Sequence, residues 1–102
     1  FGVECAQCNQ LLHRKISKVA LCGGAGSFLL DDAIKAGADA FITGEMHYHD
    51  FFGHEQEIQI AVLGHYQTEQ FTNEILYSIL REAFPLLSLY MTAQNTNPIK
   101  YL

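Results

Sequence analysis

Apolar residues along this chain fall into short blocks separated by glycines and polar breaks, and the blocks switch between two periods. Lys18-Val19-Ala20-Leu21-Cys22 is a near-continuous apolar run bounded by glycines, the pattern of a buried strand. Ser27 is placed to cap a helix running to about Ala36, with Phe28, Leu29, Leu30, Ala33 and Ile34 apolar and Gly37 as its stop. Ala38 to Thr43 reads as the next strand. Strand, helix and strand in so short a span predict a βαβ unit with parallel pairing and a right-handed crossover. A polar and aromatic segment, Glu45 to Glu57, predicts a short helix plus loop, and Ile58 to Leu63 a further strand. From about Tyr66 to Ala83 the period becomes helical. Phe71, Ile75, Leu76, Ile79, Leu80 and Ala83 share one face, and Pro85 ends the helix. Leu86 to Thr92 predicts a last buried strand, residues 2 to 5 a short first one, and the tail from Asn95 a turn and then extended chain. The expected fold is α/β, with a mainly parallel or mixed sheet flanked by helices. The strands holding Val19, Phe41 and Val62 should be central, covered on both faces.

Composition narrows this picture. A chain of 102 residues suits one domain, residues 1–102, and 49% hydrophobic content argues against disorder. The apolar runs are too short to span a bilayer and no signal-peptide pattern opens the chain, so no membrane partner is expected. The first residue is Phe, which points to a fragment or excised domain. A formal charge of −5 and a pI near 5.4 disfavour binding to a nucleic-acid backbone. The small basic cluster of Arg14, Lys15 and Lys18 is explained by a solvated segment. Cys5 and Cys8 form a C-x-x-C with His13 nearby, but no second such pair completes four zinc ligands. Cys22 reads as a small buried residue. Reduced, metal-free thiols and a cytoplasmic location are the expectation.

Candidate chemistry gathers at the ends of three predicted strands, at Gly23-Gly24-Ala25-Gly26-Ser27, Thr43-Gly44-Glu45 and Gly64-His65, where open α/β sheets bind their ligands. Gly64-His65-Tyr66-Gln67-Thr68-Glu69 places His65 and Glu69 four residues apart at a helix start, on one face and within reach of one metal ion. A carboxylate in a first helical turn is also favoured by the helix dipole without any metal. Gly23-Gly24-Ala25-Gly26-Ser27 could offer backbone N–H groups to an anion, making Gly23, Gly24, Gly26 and Ser27 candidate binding residues. It is neither a phosphate-binding P-loop nor a full G-x-G-x-x-G, and glycines also suit tight turns for steric reasons. In Met46-His47-Tyr48-His49-Asp50, the two histidines would face different ways on a helix. One of them could enter the site while the other stays solvated; His49 with Asp50 could relay a proton or orient a metal ligand, His54 reads as a surface residue, and the preference for His49 rests mostly on the family resemblance that follows.

Val19 to Ser27, Phe41-Ile42-Thr43-Gly44-Glu45 with Tyr48-His49-Asp50, and Gly64 to Glu69 together resemble the Nif-three-like family (NGG-interacting factor three). Many bacterial members of that family are called GTP cyclohydrolase type 2 homologues. The likeness covers almost the whole chain, with its motifs in order. It implies one lobe of a two-lobed α/β protein with a dinuclear metal site between the lobes. The C-terminal lobe's G-H-x-x-T-E motif supplies a histidine and a glutamate, which fall on His65 and Glu69. A histidine pair and an aspartate come from the N-terminal lobe. This chain has no adjacent His-His pair, so it corresponds to the C-terminal lobe alone, with about half a metal site. The family also implies ring-shaped hexamers for the full-length protein.

Two functions follow as expectations. The first is the C-terminal lobe of a metal-dependent hydrolase acting on a nucleotide, GTP cyclohydrolase-like, or on another phosphorylated small molecule. Two divalent ions (zinc, manganese or iron) would bind in the full-length protein, and weakly or not at all here. The alternative is a non-catalytic metal-binding or scaffold protein defined by its partners.

Overall fold

The computed structural model describes residues 1–101. It divides into two compact units, Phe1–Glu69 and the chain from Gln70 onward. In the first unit, β1 (Gln7–Cys8), β2 (Val19–Ala25), α1 (Leu30–Lys35), β3 (Ala40–Glu45), β4 (Gln59–Val62) and α2 (His65–Glu69) follow in order. The sheet order is β1-β4-β3-β2. β2 and β4 both run parallel to β3, and β1 is antiparallel to β4, giving the mixed sheet flanked by helices that the pattern predicts.

Burial explains the two inner strands. Phe41, Ile58 and Ile60 are fully buried and pack with Leu30 and Ala33 of α1, Ala38 and Val62. Each of the fully buried Phe and Ile side chains contributes about 1.5–3 kcal/mol. α1 ends as expected at Gly37, whose amide donates to Ile34 O at 2.8 Å while Ala38 N donates to Ala33 O at 3.0 Å. Its start differs. Ser27 makes no side-chain cap; it opens a 3-10 turn, Ser27–Leu29, that leads into the helix.

Three strand expectations are corrected. β2 is not central: it stands at one edge of the described sheet, with Val19 and Leu21 exposed, because no described strand pairs with its outer side. Cys22 on this strand is only partly buried. The first strand forms at Gln7–Cys8 and not at residues 2 to 5. Asn9 extends its pairing through side-chain bonds to the Ile58 carbonyl and the Ile60 amide, both 2.8 Å. Leu86 to Thr92 forms no strand. A strand needs a neighbour for its backbone groups, and Leu86 and Tyr90 stand 100% and 93% exposed.

The basic segment is anchored rather than merely solvated. Arg14 pairs with Asp39 at 2.6 Å and donates to Glu57 O at 2.8 Å, and Lys18 Nζ donates to the Ala36 carbonyl. The amides of Ser17 and Lys18 donate to Asp39 Oδ2, both at 2.9 Å. These bonds hold the Asp39 carboxyl below the usual range, the backbone donors first and Arg14 after them.

The second unit contains α3 (Thr72–Ala83) followed by chain without regular structure. The single helix expected from Tyr66 to Ala83 is interrupted after Glu69. The Thr68 hydroxyl lies 3.0 Å from both the Gly64 and His65 carbonyls, back-bonding of the kind that perturbs a helix. α3 stops before Pro85, as expected. Its apolar face is exposed rather than buried, Ile75 at 58%.

Candidate functional site

The site is built around a bulge in β2. Cys22 pairs with Thr43 and Ala25 with Glu45, so Gly23 and Gly24 stand opposite Gly44 alone. The glycine-rich stretch is therefore largely strand, not the strand-to-helix turn the sequence suggests. Gly24 has φ +66, which lets the strand continue through the bulge. Two threonine hydroxyls hold it. Thr68 Oγ1 accepts from Gly24 N at 3.0 Å, and Thr43 Oγ1 donates to Gly24 O at 3.2 Å while accepting from Gly26 N at 3.0 Å. Thr43 is fully buried, a polar group whose partners are all backbone. The Gly24 and Gly26 amides are thus engaged inside the protein.

β4 turns through Gly64, whose amide donates to Gly44 O at 3.1 Å, straight into α2. α2 packs against β2 and β3. A Cβ on Gly44 would stand 2.7 Å from Gly24 O and 2.6 Å from Thr68 Oγ1, so the approach of the three segments needs glycine there.

This packing sets His65 between two carboxylates. Its Nε2 lies 3.0 Å from Glu69 Oε2, and its Nδ1 lies 3.1 Å from Glu45 Oε1. All three side chains are about half exposed. The hydrogen bond that His65 donates to Glu45 raises the His65 pKa above the ordinary 6.5; partial desolvation opposes it, and the charges of Glu45 and Glu69 add to it. A Cβ on Gly24 would fall 2.3 Å from Glu69 Oε1 and 3.4 Å from His65 Nε2, so the lack of a side chain at the bulge is what lets both donors close on it.

The 3.0 Å separation fits a shared metal ion. Nitrogen and oxygen donors at about 2.0–2.2 Å from zinc, subtending tetrahedral to right angles, stand roughly 3.0–3.4 Å apart. His65 and Glu69 suit such an ion as two of its donors. Among the described residues no group of three or more His, Cys, Asp or Glu side chains converges to hold one.

The other predicted residues are placed as follows. Gly23 and Gly24 lie against Thr68 and Glu69, and Ser27 opens the 3-10 turn after the bulge. His49 is exposed within a second 3-10 turn, Tyr48–Phe51, its ring edge-on to Tyr48 at 5.3 Å and tilted against Phe52 at 6.5 Å. Asp50 partners His47 rather than His49, accepting from the His47 amide at 2.9 Å. His54 is partly buried, 3.1 Å from Glu57. Cys5 and Cys8 are exposed. Sequence reasoning gave no role to Glu45, Thr43 or Thr68. All three lie in the strand-end motifs, which was the available signal.

A mixed α/β sheet with a His–carboxylate pair at its strand ends defines the class. The family model of Duf34/NIF3 (NGG1p interacting factor 3) matches residues 1–98, and the chain belongs to that family. A GTP cyclohydrolase 1 type 2 homolog of Archaeoglobus fulgidus is 35% identical over 80 residues, covering 78% of this chain and 33% of the relative. The namesake in Lactococcus lactis is 33% identical over 91 residues, 85% of this chain and 34% of that one. The chain therefore spans about a third of the length of these relatives. Among solved structures, a Bacillus cereus protein related to NIF3 aligns with a TM-score of 0.71 at 25% identity, over 98% of this chain and 29% of that one. Staphylococcus aureus protein SA1388 aligns at 0.77 over 98% of this chain and 30% of that one; at 21% identity it shows the fold alone. No described helix is long and apolar enough to cross a membrane.

Proposed function

We propose that this chain is the C-terminal lobe of a two-lobed, metal-dependent hydrolase, cytoplasmic and assembled as a homo-hexamer. Its substrate is a nucleotide or another phosphorylated small molecule. The observation that carries the reading is the His65–Glu69 pair, 3.0 Å apart beside Gly24. It lies in a chain whose family relatives carry the name GTP cyclohydrolase 1 type 2 homolog. His65 and Glu69 hold metal, zinc, manganese or iron, and the other donors come from a second lobe. When bound, two such ions lower the pKa of a water and polarise a phosphate or carbonyl oxygen. His49, whose ring is exposed, is assigned to proton transfer. The Gly23 to Ser27 segment faces the substrate, with Ser27 as its polar side chain, because the Gly24 and Gly26 amides are occupied.

The competing reading is a non-catalytic metal-binding or scaffold protein, and it is favoured by the convergence of only two donors among the described residues. Turnover of nucleotides and phosphorylated compounds by the complete protein, with metal and after chelation, separates the two. Metal-dependent turnover is expected. Stoichiometric metal with no turnover of any substrate tested would establish the scaffold reading.

A further inference from the structure

Glu45 ends β3, and its register opposite Ala25 is fixed by the same bulge that seats Glu69 and His65. Its carboxylate meets His65 Nδ1 at 3.1 Å, on the other side of the ring from Glu69. A neutral imidazole carries one proton, and a metal ligand must offer the bare nitrogen. Gly24 lies beside Nε2, the nitrogen that faces Glu69 at 3.0 Å. We propose that Glu45 is a positioning residue: it accepts the Nδ1–H of His65 and so turns a bare Nε2 toward the metal that His65 and Glu69 share.

This rests on the metal reading above and adds to it a residue outside the ligand set. The two ring nitrogens point apart, so a carboxylate on Nδ1 orients the ring instead of joining the ion at Nε2. Such outer carboxylates fix the tautomer and make the bound nitrogen more basic. Glu45 is half exposed and is not a member of the buried core, so the fold does not require its carboxylate.

The test compares the complete protein with its Glu45→Ala and Glu45→Gln variants. Zinc affinity is measured by competition with a chromophoric chelator, and zinc is located by anomalous scattering from loaded crystals. Zinc on Nε2 is expected, with affinity reduced about 10–100-fold in Glu45→Ala and largely retained in Glu45→Gln, whose amide oxygen still accepts the proton. Thermal midpoints of the metal-free proteins should match the wild type. Wild-type affinity in Glu45→Ala, equal losses in both variants, or zinc on Nδ1 would each overturn the inference. Zinc found on Nε2 in a Glu45→Ala protein of unchanged affinity removes Glu45 alone. Zinc absent from His65 in the wild type removes the metal reading and this inference with it.

Discussion

At Gly24 a methyl group would sit 2.3 Å from Glu69 Oε1, on a backbone already at φ +66. The blocking atom is the end of a flexible side chain, so the fold should survive while Glu69 is pushed off His65. Gly24→Ala should cost about 1–3 kcal/mol in denaturant titration, from the left-handed backbone, and weaken metal binding by the complete protein more than that loss of stability explains. Asp39 acts on the fold alone. Its carboxyl is lowered from 3.8, so its stabilisation is present in full above that value and fades as pH falls through the lower folded value. Asp39→Ala should therefore lower the thermal midpoint at pH 7, with the gap to wild type closing in strong acid. A gap that persists there would contradict the pairing with Ser17, Lys18 and Arg14. At this scale the sequence displayed the His65–Glu69 spacing, because one helical turn sets it. It hid Glu45, Thr43 and Thr68, whose contacts reach across strands that no local pattern registers.

Among the elements, the inner strands were legible because burial on both faces leaves continuous apolar runs, as at Phe41 and Ile60. The same pattern misled at β2 and at Leu86 to Thr92. Both are apolar runs, but the first is an edge strand and the second lacks a described partner. Apolar character records a need for cover without naming what supplies it. The glycines after Cys22 were read as a turn because a bulge and a turn ask for the same residue. Truncation separates the two kinds of apolar position. Ile60→Ala should cost about 2–5 kcal/mol in chemical denaturation of the chain. Ile75→Ala, expected from its helical face to be comparably costly, is 58% exposed and should shift stability by about 1 kcal/mol or less.

On the scale of the whole molecule, the chain covers about a third of its relatives' length, and the proposed metal ion would find two donors in it where catalytic zinc takes three. Two protein ligands leave a divalent ion mostly hydrated, so the 102-residue chain should bind zinc weakly, and the complete protein far more tightly. The central claim is that His65 and Glu69 are ligands, and metal content per protomer tests it most directly. Elemental analysis of the complete protein should find less metal in both His65→Ala and Glu69→Ala than in the wild type, with circular dichroism unchanged in each. Full metal stoichiometry in both folded variants would contradict the ligand assignment.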